Sequence, residues 1–343
     1  MYRDKPMQSP PIEIDTRYPA LVTGATGYIA GWLVKQLLAA GVTVHATVRD
    51  PDNIEKVGHL IDLGDSSPGT LRLFQADLLQ EGSYDDAMSD CQVVFHTASP
   101  FTLTHSDAQR DLIDPALEGT RNVLASVNRC PTVTRVVVTS SVAAIYHDNH
   151  DCDKAPGGVL TEAQWNTGST LDNLPYALSK TLAEKAAWAL ADAQDRWSLA
   201  TINPALVVGP GLAPGQTSGS FEFLTLLTDG SFRDGAPHLD LGAVDVRDVA
   251  DAHCRAGYLK TAKGRYINYA TTLTLYDIAE ALHPLFPSLP LPEYRAHEGP
   301  RWRADNRRSI DDLGVNYRDP VPAIVDMVQQ MIDNGDIKVP ASK

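Results

Sequence analysis

The stretch Val22-Thr23-Gly24-Ala25-Thr26-Gly27-Tyr28-Ile29-Ala30 constrains the fold more than any other part of the chain. It joins a short apolar run, Pro19–Thr23, to Tyr28–Ala40, where Ile29, Leu33, Leu37 and Ala40 recur at helical spacing and stop at Gly41. A strand that feeds a glycine-rich turn and then a helix presents free N–H groups and a positive helix end to an anion. Gly24 permits the tight turn, Gly27 lets a pyrophosphate approach the backbone, and small Ala30 lets the helix pack closely on the strand. The spacing, Gly-x2-Gly-x2-Ala, is a one-residue-shifted variant of the dinucleotide fingerprint. Gly24, Thr26, Gly27, Tyr28 and Ile29 are therefore the first candidate cofactor contacts.

The same two periods alternate along the first two hundred residues. Val42–Val48, Arg72–Gln75, Gln92–Thr97, Arg135–Thr139 and Leu199–Asn203 read as strands, with helical patterns at 83–89, 107–129 and 176–193 between them. Near-continuous apolar strands separated by helices predict an α/β fold with a doubly wound parallel sheet buried on both faces. After Pro204 the pattern changes. Residues 209–220 are rich in Gly, Pro and Ser and read as irregular, and 284–300 is proline-rich loop. Val244–Val246 and Arg265–Tyr269 read as later strands, and Leu275–Leu285 and Pro322–Asp333 as helices. The expected organisation is a loose arm (1–17), a dinucleotide-binding domain (18–205, with a segment returning at about 240–270), and a smaller substrate-binding part (206–239 and 271–343).

Composition narrows the function. Among 343 residues, 29 basic against 43 acidic side chains give a net charge of −14. Nucleic-acid backbones and anionic membranes need a positive surface, so neither is expected as a partner. No apolar run approaches the length that spans a bilayer, and the first residues lack an apolar signal core, so a cytoplasmic location is expected. Four widely spaced cysteines, Cys91, Cys130, Cys152 and Cys254, are too sparse for a disulfide framework and read as free thiols.

The second strand ends Val44-His45-Ala46-Thr47-Val48-Arg49. A site for NAD usually carries an acidic residue there to bind the ribose 2′-hydroxyl. Here Arg49 can clamp a 2′-phosphate and Lys56 can add a second charge, which selects NADP(H). Further along, Pro175-Tyr176-Ala177-Leu178-Ser179-Lys180 opens a strongly helical stretch, and Tyr176 and Lys180 share one face. A phenol with its reference pKa of ~10 is a competent proton donor, and a nearby ammonium is expected to lower that value. The strand Arg135–Thr139 runs into Ser140 and Ser141, either of which can donate to a carbonyl oxygen at the sheet's carboxyl edge.

With these pieces in place the chain resembles the extended short-chain dehydrogenase/reductases. The closer likeness is to the branch of dihydroflavonol reductases, cinnamoyl-CoA reductases and microbial aldehyde/ketone reductases of the methylglyoxal-reductase type. It covers about residues 18–335 and rests on Thr23–Ala30, Ala46–Arg49, Ala76-Asp77-Leu78, Phe95–Phe101, Glu118–Leu124, Thr139-Ser140-Ser141, Tyr176–Lys180, Asn203-Pro204 and Val244–Val249. The resemblance implies about seven strands and NADPH-dependent carbonyl reduction. It assigns Ser141, Tyr176 and Lys180 as the catalytic set. It also places Asp77 and Leu78 by the adenine, Thr97, Ala98, Ser99 and Thr139 along the cofactor groove, and Pro204 and Val207 by the nicotinamide. A serine on the pyrophosphate falls to Ser218 or Ser220.

The substrate side departs from the plant members. Tyr146 stands where dihydroflavonol reductases carry Asn or Asp, which disfavours a flavonoid. Phe101, Tyr146 and Phe223 are candidates for an apolar wall suited to aromatic or bulky ketones and aldehydes. The run Tyr146–Asp153 collects His, Cys and Asp side chains, but its spacing fits no metal template, so no metal is expected and His147 is left as a substrate-facing candidate. Two other readings stay open: a nucleotide-sugar epimerase or dehydratase retaining NAD, and a non-catalytic NADP-sensing regulator. Monomer and homodimer are both compatible with the sequence.

Overall fold

The computed structural model describes residues 9–99, 106–216, 218–293, 295 and 301–340. In chain order the first half contains β1 (Ala20–Val22), α1 (Tyr28–Ala39), β2 (Thr43–Val48), α2 (Ile54–Asp65), β3 (Thr70–Gln75), α3 (Asp85–Met88), β4 (Val93–His96), α4 (Asp114–Arg129) and β5 (Arg135–Thr139). The second half contains α5 (Asp151–Lys154), α6 (Pro175–Asp192), β6 (Ser198–Pro204), β7 (Leu206–Val208), α7 (Gly219–Thr228), β8 (Asp240–Asp245), α8 (Val246–Tyr258), β9 (Gly264–Asn268), β10 (Thr271–Thr274), α9 (Leu275–Leu282), α10 (Arg307–Asp311) and α11 (Pro320–Asp333).

Seven strands form one sheet in the order β3-β2-β1-β4-β5-β6-β9. Every neighbouring pair is parallel. The central strands β1 and β4 are buried throughout, which is why their sequences read as apolar runs rather than alternations. Edge strand β3 alternates exposed and half-buried residues instead. Helices cover both faces. On one, α1, α2 and α8 bury Leu33, Val34, Leu37, Val57, Leu60 and Ala252. On the other, α3, α4 and α6 bury Met88, Val123, Leu124, Val127 and Ala187. Gly257 lets α8 lie on β4: a Cβ there would sit 2.4 Å from the Phe95 ring. This is the α/β, doubly wound architecture that the alternation predicts.

A second sheet of three strands, in the order β10-β8-β7, pairs β8 antiparallel with β10 and parallel with β7. With α7, α9 and α11 it closes a separate apolar cluster around Leu224, Leu227, Ile278, Leu282, Ile324 and Met327. Of the stretch 240–270, only β9 joins the main sheet, because β8 is taken up by β7 and β10. Two local expectations differ from the structure. Helix α7 begins at Gly219, inside the segment read as irregular, because Ser218 adopts an extended N-cap conformation ahead of the apolar run Phe221–Leu227. Residues 9–15 do not hang free. Ser9 Oγ accepts the Asn316 N–H at 2.9 Å, Arg255 donates to the Pro10 carbonyl at 2.5 Å, and Ile14 packs on the main core.

The four cysteines are free thiols. Among the described residues, no helix is long and apolar enough to cross a membrane, and no group of three His, Cys, Asp or Glu side chains is placed to hold a metal ion.

Candidate active site

A cleft of about 400 Å3 opens where β1, β4, β5 and β6 end. Open α/β sheets take ligands at these carboxyl edges, because the loops there diverge and leave a crevice. Gly27–Ala30 follow β1, Thr97 and Ser99 follow β4, Thr139–Val142 end and follow β5, and Pro204–Val207 close β6 and open β7. Ser218, Gly219 and Ser220 enter from the start of α7, and Leu241 and Gly242 from β8.

The phosphate loop is built from backbone constraints. Gly24 has φ +63°, and a Cβ there would lie 2.9 Å from Ala98 Cβ. Helix α1 then starts after Gly27, its N-cap, with no side chain capping its first N–H groups. Thr23 locks the neighbouring strand in place. Its Oγ1 accepts the Thr97 and Ala98 N–H groups at 3.1 and 3.0 Å and bonds His96 Nδ1 at 3.0 Å. Those two acceptances leave the Thr23 hydroxyl proton for Nδ1, so His96 is the Nε2–H tautomer and donates to Thr120 Oγ1 at 3.4 Å. Burial pushes the His96 pKa down to about 3, keeping the ring neutral. A strap from 209 to 216 crosses the same loop. Tyr28 Oη donates to the Gly209 carbonyl at 2.6 Å, Trp32 Nε1 to Pro210 at 2.9 Å, and Gln216 Nε2 to Thr26 at 3.2 Å.

These residues fit a dinucleotide. The open N-terminus of α1 offers unpaired donors, and Ser218 Oγ at the head of α7 is buried with no hydrogen-bond partner. Two helix starts thus face one cleft from different parts of the chain. Both Ser218 and Ser220 line it, and Ser218 carries the unsatisfied hydroxyl.

At the opposite end, Leu174 takes a left-handed conformation at φ +56°, and Pro175 starts α6, so Tyr176 falls in the first helical turn and lines the cleft. Ser141 lines the same cleft as Tyr176, with its hydroxyl close enough to act on the phenol. Lys180, 8% exposed, places Nζ 2.9 Å from Ser99 Oγ and 5.7 Å from the Tyr176 ring centroid. Burial pushes the Tyr176 pKa up to about 12, with the neighbouring Ser141 hydroxyl pulling the other way. Burial pushes Lys180 down to about 8. The lowering of the phenol by Lys180, expected from the sequence, is therefore not what sets its acidity here, because the ammonium is engaged with Ser99. Of the two serines, Ser141 faces Tyr176, whereas Ser140 turns back to the Glu184 carboxylate at 2.5 Å. Thr139 is oriented as well. His253 Nδ1 donates to the Val249 carbonyl at 2.7 Å, so Nε2 accepts from Thr139 Oγ1 at 2.7 Å.

The remaining candidates divide. Arg49 and Lys56 sit at the end of β2 and in the first turn of α2, exposed and away from the cleft walls. Asp50 turns its carboxylate onto the Asp52 backbone rather than onto Arg49. Asp77 caps its own turn through the Leu79 N–H, and Leu78 packs on Gly119, so neither lines the cleft. Tyr146 does, backed by Trp302 at 6.0 Å between ring centroids. Phe223 does not: it packs on the C-terminal apolar cluster, because α7 turns that face inward. Phe101 lies outside the described residues. His147 faces Ser169 at 3.0 Å and the 166–173 loop rather than the cleft. Sequence reasoning missed Val142, Ala205, Leu206, Leu241 and Gly242 as lining residues. Val142 and Ala205 follow Ser141 and Pro204 directly, whereas Leu206, Leu241 and Gly242 reach the cleft only because the second sheet brings β7 and β8 there.

Fold and cleft together place a crevice at the carboxyl edge of a doubly wound sheet, with Tyr176, Ser141 and Lys180 at one end. The match to known proteins agrees. The family model described as "NAD dependent epimerase/dehydratase family" matches residues 20–269. A cinnamoyl-CoA reductase, CAD2, of Medicago truncatula is 43% identical over 318 residues, covering 90% of this chain and 94% of that protein. Tetraketide alpha-pyrone reductase 1 of Arabidopsis thaliana is 38% identical, covering 92% and 95%. Among solved structures, yeast methylglyoxal/isovaleraldehyde reductase Gre2 complexed with NADPH superposes with a TM-score of 0.80 at 28% identity, covering 93% of this chain and all (100%) of that one. The chain belongs to the NAD dependent epimerase/dehydratase family and is an oxidoreductase of its extended short-chain dehydrogenase/reductase type.

Proposed function

We propose that this NADP-dependent oxidoreductase reduces a neutral, aromatic or bulky ketone or aldehyde to an alcohol, with Tyr176 as the proton donor. The cofactor is NADP(H), which when bound supplies the hydride. The observation that carries the reading is the convergence of Ser141, Tyr176 and Lys180 on one cleft, with Lys180 one helical turn from Tyr176. A phenol held neutral by burial can give its proton to an oxygen as negative charge develops there. Ser141, beside the phenol in the cleft, donates to the same oxygen and fixes its position. Lys180 adds a positive charge in a water-poor environment, where it acts more strongly on a developing anion than it would in bulk solvent. The chain's own groups for the nucleotide are the α1 and α7 N-termini with Ser218, the groove residues Thr97, Ser99 and Thr139, and the walls Pro204 and Val207. Arg49 and Lys56 supply charge for a 2′-phosphate. The substrate class follows from the walls. Lys180 is the single charged side chain among the described lining residues, and Val142, Tyr146, Ala205, Leu206 and Leu241 form an apolar face.

The test is NADPH oxidation by the purified protein across ketones, aldehydes, flavanonols and acyl-CoA esters, with NADH in parallel and Tyr176→Phe alongside. The expected result is NADPH-selective reduction of apolar carbonyls, with turnover reduced by roughly 10²–10⁴-fold in the variant. Near-normal turnover of Tyr176→Phe removes the phenol from the chemistry, and a preference for NADH removes Arg49 and Lys56 from cofactor choice.

A further inference from the structure

Glu184 lies one turn beyond Lys180 on α6, so Tyr176, Lys180 and Glu184 share one face of the helix. It is 1% exposed and plays no part in the chemistry described above. Its two oxygens receive an unusual number of donors. Oε1 accepts Arg265 Nε at 2.6 Å, Thr201 Oγ1 at 3.1 Å and Trp188 Nε1 at 3.2 Å. Oε2 accepts Ser140 Oγ at 2.5 Å, Asn203 Nδ2 at 2.8 Å and Arg265 Nη2 at 3.3 Å. A buried ion pair returns little net stability, because desolvation offsets most of the attraction. What these bonds do is join four elements at one point: α6, the end of β5, β6 and β9.

Three of the connections lead to Ser141. Ser140 is its chain neighbour. The Asn203 amide that bonds Glu184 also donates to the Ser141 carbonyl, at 3.1 Å. Arg265 reaches past the carboxylate to the Ala144 carbonyl at 3.3 Å, the last residue of the short turn that Ser141 caps through the Ala143 N–H. Arg265 also donates to the carbonyls of Glu162 and Gln164, at 2.8 and 2.5 Å, and stacks 3.8 Å from the centre of the Trp165 ring. The helix that carries Tyr176 and the turn that carries Ser141 are thus tied to each other through one carboxylate.

Resting on the proposed role of Ser141 and Tyr176, we infer that Glu184 is a positioning residue that holds the Ser141 hydroxyl in place beside Tyr176 in the cleft. It touches neither substrate nor cofactor. Glu184→Gln keeps the shape but places an amide donor where either Arg265 or the Ser140–Asn203 pair now donates, so one side of the junction must open. An error of about 1 Å between catalytic groups costs on the order of 10²-fold in rate.

The experiment is a double-mutant cycle on the full-length protein, reading kcat and the KM and Kd for NADPH. Glu184→Gln should lower kcat by roughly 10–100-fold and leave the NADPH Kd within about twofold, because the phosphate cradle is elsewhere. Ser140→Ala, which keeps the Glu184–Arg265 pair and removes a single oxygen, should lower kcat in the same direction by less. In a Ser141→Ala background both substitutions should be nearly silent, because the group they position is gone. Losses that multiply in that background overturn the inference and mark Glu184 as a general structural residue. If Glu184→Gln does not fold, the Ser140→Ala arm decides by the same criterion. Ser141→Ala with full turnover sinks the reading of Ser141 itself, a result distinct from multiplicative losses.

Discussion

Lys180 gives a prediction in which stability and activity move in opposite directions. Its ammonium is 8% exposed, and burial lowers its pKa from 10.5 to about 8. At roughly 1.4 kcal/mol per pH unit, keeping that charge buried at neutral pH costs the folded state about 3 kcal/mol. Lys180→Met preserves the length of the stem and removes the charge. It also removes the bond to Ser99, worth about 1 kcal/mol. The variant should therefore be more stable than the parent by about 2 kcal/mol at pH 7, while losing reductase activity. With an unfolding entropy of about 2.1 cal/mol/K per residue over the 343-residue chain, that is a rise of roughly 3 °C in melting temperature. The sign of the pH dependence is fixed. Between pH 8 and 10.5 the unfolded parent binds more protons at this site than the folded one, so the parent gains stability as pH rises. The cost is fully present below pH 8, and the advantage of the variant shrinks across that window. Denaturant unfolding at pH 7 and pH 10, followed by circular dichroism, measures both quantities. A variant less stable than the parent at pH 7, or a gap that does not change with pH, refutes the reasoning.

Ser218→Ala should weaken NADPH binding by roughly 10–100-fold, the worth of a hydrogen bond to a charged group, without changing thermal stability; calorimetric titration measures it. Arg49→Ala should raise the KM for NADPH by about tenfold or more and leave that for NADH unchanged, since the guanidinium has no role without a 2′-phosphate. Gly257→Ala should destabilise the fold by about 1–3 kcal/mol in urea, because the new methyl must displace the Phe95 ring.

The nucleotide half of the molecule was legible because its signals are local. A strand, a turn with a required positive φ at Gly24 and a helix starting after Gly27 follow one another in sequence, and the apolar runs of β1, β4 and β5 announce burial on both faces. Tyr176 and Lys180 were legible for the same reason, being one turn apart. The acidity of Tyr176 was not, because it depends on burial and on where the Lys180 ammonium finds its partner. The substrate face was the least legible. Its walls come from β7 and β8, which meet only in the second sheet, and Phe223, read as a wall, packs on a core cluster instead. Glu184 carried a signal in its spacing from Lys180, but its partners Ser140, Asn203 and Arg265 converge from three separate strand ends.

On the proposed reading, the two helix starts of α1 and α7 make nucleotide capture a property of the whole polypeptide. A fragment ending at Pro204 would retain the glycine turn, the serine and the phenol. It would lack Ser218, the start of α7, and the Gly209, Pro210 and Gln216 groups that grip Tyr28, Trp32 and Thr26. A nucleotide held this way would act as a clasp between two separately cored regions, and saturating the protein with it should make them unravel together as a single cooperative unit.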